Sequence, residues 1–250
     1  MPISAFMIAL NEELAIAKTL ESLRWADEIV IVDSGSTDKT AEIGKKMGAK
    51  LFKRPFDNFA NQKNFALSLT SHDWVFSIDA DEIVSAELLR EIQHALNDPD
   101  PDIAGYRIMR RNYFLGKPLK FGGQGIEPVL RLFKKNSGKF VGAVHEEISV
   151  KGKKHNLNGI LEHKSIENLN DYFQKFHLYT DLEARRTIHE NKIPSFFAGF
   201  FLPPCKWIIN YLFKAGFLDG WRGLLYHSLS CYYGWVKYLK AKSYKNENWN

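Results

Sequence analysis

The chain has 250 residues, 45% of them hydrophobic and 25% charged, with two cysteines and a formal net charge of +5. That apolar fraction is ample for a core at this length, one large domain or one domain with an appendage is expected, and Cys205 and Cys231 alone exclude a disulfide-built scaffold. Residues 201–250 hold seven Lys or Arg against Asp219 and Glu247, so the whole basic excess sits there and the first 200 residues balance.

Ile3 to Leu10 is an apolar run that reads as a strand, followed by Asn11-Glu12-Glu13 and a helical pattern through Leu23. Met1 leads directly into this strand with no basic n-region, so no signal peptide is expected. Glu28 to Val32 is a second strand ending in Asp33-Ser34-Gly35-Ser36-Thr37-Asp38, with Ser36 or Thr37 placed to cap a helix running to about Met47. Lys50 to Lys53 reads as a third strand, Asn58 to Leu69 as a helix, and Trp74 onward as a fourth strand. Alternating strands and helices predict a mostly parallel, doubly wound α/β sheet. In that topology the Asn11, Asp33 and Asp79 loops emerge at one edge, where open α/β sheets bind ligands.

The fourth strand ends in Ile78-Asp79-Ala80-Asp81-Glu82, three carboxylates within five residues. Asp79 and Asp81 are two apart, so an extended backbone points both the same way. Two hard oxygen ligands facing one cleft suit Mg²⁺ or Mn²⁺, ions usually shared with substrate phosphates. Taken alone, the acids also fit a simple cap on the helix from Ser85 to Leu96. The other polar loops at the same edge favour the site. Beyond that helix come strands near Ile103 to Arg110 and Val129 to Lys134, separated by the glycine-dense segment Gly116 to Gly125. That segment has no helix at P-loop spacing, so it reads as a lid hinge or a close-approach loop rather than a phosphate cradle. His163, His177 and His189 fall at no metal-ligand spacing and read as structural or surface residues.

Ile8-Ala9-Leu10-Asn11-Glu12-Glu13, then Ile31-Val32-Asp33-Ser34-Gly35-Ser36-Thr37-Asp38, then Ile78-Asp79-Ala80-Asp81-Glu82 resemble, in order and spacing, the N-terminal half of family 2 glycosyltransferases of the GT-A fold. Gln62-Lys63-Asn64-Phe65-Ala66 fits the same pattern. Arg131-Leu132-Phe133, Val144-His145-Glu146 and Gly216-Phe217-Leu218-Asp219-Gly220 resemble a bacterial branch that builds the lipopolysaccharide core, including glucosyltransferases acting on inner-core heptose. Ser34 departs from the usual second Asp, and His145-Glu146 stands where a Glu-Asp pair often supplies the base.

The resemblance implies a GT-A catalytic domain over residues 1–165, with a nucleotide-sugar half (1–110) and an acceptor half (111–165), and a helical extension over 166–250. It implies an inverting, metal-dependent transfer of a hexose from a UDP-sugar to a saccharide or glycolipid acceptor. In that scheme Asp79 and Asp81 hold Mg²⁺ or Mn²⁺, and Arg131 is a second cation for the diphosphate. Glu146 is the first choice of base, with His145 as base, metal ligand or acceptor-binding group. Ala9 and Asn11 border the nucleobase, Asp33 accepts from its imide or from ribose, and Glu12 contacts ribose or opens the first helix. Lys63 reaches the base or a phosphate, and Glu82 supports the site or binds a sugar hydroxyl. The competing readings are a non-catalytic nucleotide-sugar-binding scaffold and transfer to a lipid phosphate or peptide.

The C-terminal stretch mixes Phe196, Phe197, Phe200, Phe201, Trp207 and Tyr211 with its lysines. Such a mixture suits a helix lying in the headgroup plane of an anionic membrane, or else a cap packed on the catalytic domain. A bilayer span is not expected, because Pro203 and Pro204 break the run and Lys206 interrupts it. Nucleic-acid binding is not expected either, since no recognition motif is present and the surface is too apolar. A cytoplasmic protein, peripheral on the inner face of the membrane, is the expectation.

Overall fold

The computed structural model describes residues 1–142 and 147–246. The chain divides into two compact units, residues 1–111 with 127–163 and residues 112–126 with 164–250.

The elements in chain order begin β1 (Ile3–Ala9), α1 (Ile16–Glu21), β2 (Glu28–Asp33), α2 (Thr40–Lys46), β3 (Lys50–Lys53), α3 (Phe59–Ser68), β4 (Trp74–Ser77), β5 (Glu82–Val84) and α4 (Ala86–Asn97). Then come β6 (Ile103–Phe114), β7 (Lys117–Pro118), β8 (Ile126–Lys134), β9 (Gly138–Val141), β10 (Glu147–Val150) and β11 (Lys153–Ile166). Three helices complete the chain: α5 (Leu169–His189), α6 (Phe196–Ile208) and α7 (Gly220–Asn246). The main sheet runs in the order β3-β2-β1-β4-β8-β6-β11-β5. Its first four strands are parallel, whereas β8 is antiparallel to β4 and β5 to β11.

Strand alternation builds two cores. On β1, Ile3, Ala5, Met7 and Ala9 join Trp74 and Phe76 in a cluster with Ile16 and Leu20 of α1 and Leu88 and Ile92 of α4. The intervening Phe6 joins Val30, Val32 and Val75 in a second cluster with Ala60 and Ala66 of α3. A sheet covered on both faces reads as near-continuous apolar runs, which is why Ile3 to Leu10 and Glu-Ile-Val-Ile-Val stand out in the sequence. Asn58 and Ser85 cap α3 and α4 with their side chains, accepting from Asn61 N–H at 2.9 Å and Leu88 N–H at 3.1 Å. Ser36 and Thr37 do not cap α2: that helix starts three residues later, behind Lys39, which makes no side-chain cap bond.

In the second unit α7 packs against α5 on one side and α6 on another. Phe176 of α5 stacks on Tyr232 with ring centroids 5.4 Å apart. Gly199 of α6 lies against the Tyr238 ring where any Cβ would overlap, and Pro203 lies against Gly234. One expectation is overturned here. Pro203 and Pro204 sit inside α6 without ending it, and helical structure continues as a π turn through Ile209–Phe213. Phe196–Phe213 is therefore an 18-residue helical run, long and apolar enough by length and composition to cross a membrane. Pro204 removes the N–H that would bond the Phe200 carbonyl, and the Trp235 indole N–H donates to that carbonyl at 2.8 Å instead. Trp235→Phe, which deletes only this donor and some ring area, is expected to lower stability by about 1 kcal/mol in denaturant unfolding. An unchanged midpoint would show that water serves the carbonyl equally well.

Candidate active site

The loops after β1 and β2 are stitched together by side chains. Ala9, the last residue of β1, is buried and in register with Asp33, the last of β2. Asn11 takes a left-handed backbone (φ 54°), and its Oδ1 accepts from Thr37 N–H at 2.9 Å while its own N–H donates to Ser36 Oγ at 3.0 Å. Glu12 N–H donates to Thr40 Oγ1 at 2.8 Å, and Glu13 N–H to Asp38 Oδ2 at 3.0 Å. Ser36 and Thr37 are thus spent on fixing Asn11 rather than on a helix end. Asp33 is 1% exposed. One of its carboxylate oxygens accepts from Ser36 N–H at 3.2 Å, while the other is buried with no hydrogen-bond partner among the described residues. A buried carboxylate oxygen left this way is costly unless a ligand donor meets it.

Beside these loops β4 ends at Ser77, and Asp79 to Glu82 forms a turn closed by Glu82 N–H donating to Asp79 O at 3.0 Å. The turn sends Asp79 and Asp81 to different partners, where an extended chain would have aimed both alike. Lys63 Nζ lies 2.7 Å from Asp79 Oδ1, and Arg131 Nη2 lies 2.6 Å from Asp79 Oδ2. The same Arg131 nitrogen bonds Glu82 Oε1 at 2.5 Å. Arg110 reaches Glu82 at 3.5 Å and Glu127 at 2.5 Å. Burial opposes ionisation of Asp79, but Arg131 and then Lys63 outweigh it and hold the carboxyl well below the usual range. Burial likewise opposes the charge on Arg131, and Asp79 and Glu82 more than restore it.

Asp81 has a different neighbour. His163, on β11 and in register with Glu82 of β5, brings Nε2 to 3.4 Å from Asp81 Oδ1. Burial lowers the His163 pKa, but the Asp81 carboxylate outweighs it and the net shift is upward. The reading of His163 as a structural or surface residue did not include this pairing. No sequence signal could have found it, because its partner lies 82 positions away and only strand pairing joins them. Among the described residues no three His, Cys, Asp or Glu side chains converge on one point. Mg²⁺ and Mn²⁺ favour carboxylate oxygens, commonly one or two from the protein with the rest from phosphates and water, and take an imidazole nitrogen less readily. Asp79, Asp81 and His163 are the candidate donors: Lys63 and Arg131 neutralise Asp79, and His163 lies beside Asp81.

His145 and Glu146 lie outside the described residues. The glycine-dense segment belongs to the second unit, where it is tied down rather than loose. Asp219 Oδ2 accepts from Lys120 N–H at 3.2 Å and Phe121 N–H at 3.0 Å, and Gly122 N–H donates to Lys214 O at 2.9 Å. Gly122 has φ +69°, and a Cβ there would strike His227.

The model of glycosyl transferase family 2 matches residues 4–118. The chain is 33% identical over 245 residues to the lipopolysaccharide core biosynthesis glycosyltransferase LpsC of Rhizobium meliloti, covering 92% of this chain and 90% of that one. It is 31% identical over 202 residues to an uncharacterized glycosyltransferase of Rickettsia typhi, covering 76% of this chain and 69% of that one. Among solved structures it is similar to residues 1–349 of TarS from S. aureus, with a TM-score of 0.51 and 15% identity over 100% of this chain and 93% of that one. That last likeness concerns the fold: a mixed α/β GT-A architecture followed by helices.

Proposed function

We propose that this chain, which belongs to glycosyl transferase family 2, moves a hexose with inversion from a UDP-sugar to a saccharide of the lipopolysaccharide inner core or a related cell-envelope glycan. The reaction takes place at the cytoplasmic face of the membrane that carries the acceptor. The observation that carries the reading is the meeting, at the carboxyl edge of the parallel strands, of the Asp81–His163 pair with the buried Lys63–Asp79–Arg131–Glu82 network.

The residues divide the work by chemistry. The unpartnered Asp33 oxygen accepts from the uracil imide N–H, with Ala9 leaving room for the flat ring and the pinned Asn11 and Glu12 bordering base and ribose. Asp79, held by Lys63 and Arg131, orients ribose or sugar hydroxyls. Arg131 is a positioning residue, since its guanidinium is buried against two carboxylates rather than open to a phosphate. Asp81 and His163 would hold Mg²⁺ or Mn²⁺, which when bound supplies Lewis-acid neutralisation of the departing diphosphate. Glu146 takes the proton of the acceptor hydroxyl as its oxygen bonds the anomeric carbon from the face opposite the breaking bond to diphosphate.

Release of nucleoside diphosphate from a panel of UDP-, GDP- and dTDP-hexoses tests the reading. Turnover of a UDP-hexose is expected, and no release from any donor with a core-saccharide acceptor present would sink it. Glu146→Gln is expected to lower kcat by about 10² while leaving donor binding unchanged. If His145→Ala abolishes turnover and Glu146→Gln is mild, the base is His145.

A further inference from the structure

We infer that the outer face of α6 and its π turn is a docking surface for a single leaflet of anionic lipid, an assignment that extends the cell-envelope reading above. Helix α6 has apolar side chains all round. Its inner face is occupied by α7, through Gly199 against Tyr238, Pro203 against Gly234, and Trp207 Nε1 donating to Ser228 Oγ at 3.3 Å. Among the described residues nothing covers the opposite face: Phe197 is 73% exposed, Phe201 48%, Ile208 42%, Leu212 50% and Phe213 81%. Positions 197, 201, 208 and 212 form one stripe at 3.6 residues per turn, with exposed Cys205 within it. From Phe197 to Leu212 the stripe is about 22 Å long at helical rise. Contiguous apolar exposure of this kind marks an interaction surface.

Charge identifies the occupant. Residues 196–218 contain Lys206 and Lys214 and no acidic residue. Arg222 follows, stacked over the Trp221 ring at 4.5 Å. Basic residues beside exposed aromatics match an anionic headgroup layer over acyl chains. The helix lies along the leaflet rather than crossing it. Lys206 falls within the apolar run, and α7, packed on the inner face, carries Lys237 paired to Glu183 at 3.3 Å and Lys240 paired to Asp181 at 2.8 Å on α5. A spanning hairpin would draw those charges into hydrocarbon, whereas an in-plane α6 leaves them in water.

The full chain, floated with phosphatidylcholine vesicles with and without 25% phosphatidylglycerol (about a quarter anionic lipid, enough for surface attraction), tests this. Binding to the anionic vesicles is expected, weakened by salt but not abolished, because insertion is not screened. Phe197→Asp combined with Phe201→Asp should lower the partition coefficient about tenfold or more, with thermal unfolding and UDP binding unchanged. A polarity-sensitive dye on Cys205, in a Cys231→Ser background, should shift to the blue on anionic vesicles. A dye that stays in water, binding that vanishes with salt, or a stable dimer that Phe201→Asp dissociates would each overturn the assignment. UDP-sugar turnover measured in the same samples separates the two readings: a wild-type chain that turns over donor but does not float with anionic vesicles overturns this surface alone.

Discussion

Asp81→Ala is expected to remove nearly all sugar transfer while the protein remains folded. Asp81 pairs with His163, whereas the Lys63–Asp79–Arg131–Glu82 ion pairs are made through other carboxylates, so its loss is expected to leave those pairs in place. Stabilising a departing diphosphate by a bound divalent ion is worth several kcal/mol, which is at least about a hundredfold in rate. Wild-type protein should lose activity in chelator and recover it with Mn²⁺ or Mg²⁺. His163→Ala should weaken the metal response, shifting the Mn²⁺ concentration for half-maximal activity upward while added metal restores much of the rate. Full activity of the wild type in excess chelator would remove the metal from the mechanism and leave the Asp81–His163 pair as an ordinary ion pair.

Arg131→Met should be the most destabilising single change at the site. One guanidinium nitrogen bonds both Asp79 and Glu82, and Glu82 is fully buried. Methionine fills similar volume but leaves Glu82 with only Arg110 at 3.5 Å and Asp79 with only Lys63 among these charged partners. Breaking a buried pair from one side typically costs about 3–5 kcal/mol, or roughly 10 °C in melting temperature for a chain of this size. Arg131→Lys should recover part of the stability, since it restores the charge but not the reach and planar packing of the guanidinium. Activity should fall in both, through a displaced Asp79. A melting temperature of Arg131→Met within 2 °C of wild type, about the shift from half a kcal/mol, would mean that water or a neighbour replaces the guanidinium.

The catalytic half was legible because its signals are local. Buried parallel strands are short apolar runs, and their ends are marked by abrupt polarity at Asn11, Asp33 and Asp79. Asn58 and Ser85 announced their helices because a capping side chain acts within three residues. The same logic misled at Ser36 and Thr37, whose hydroxyl and amide groups are claimed by Asn11, a neighbour only after β1 and β2 pair. Proline likewise misled at 203 and 204: the rule counts a lost hydrogen bond, and Trp235, thirty-five positions from Phe200, supplies a replacement.

Sequence by itself determined the alternation of strands and helices, the edge at which the polar loops emerge, the cluster of three carboxylates after the fourth strand, and the concentration of basic charge and aromatic bulk near the C-terminus. These rest on periodicity, capping and composition, which act over a few residues. Tertiary structure alone decided which cation holds which carboxylate, that His163 stands beside Asp81, that Asp79 to Glu82 turns, and that one face of α6 is left exposed among the described residues. Each of these depends on strand register or helix packing between residues tens of positions apart, where burial makes a pairing strong and chain order says nothing about it.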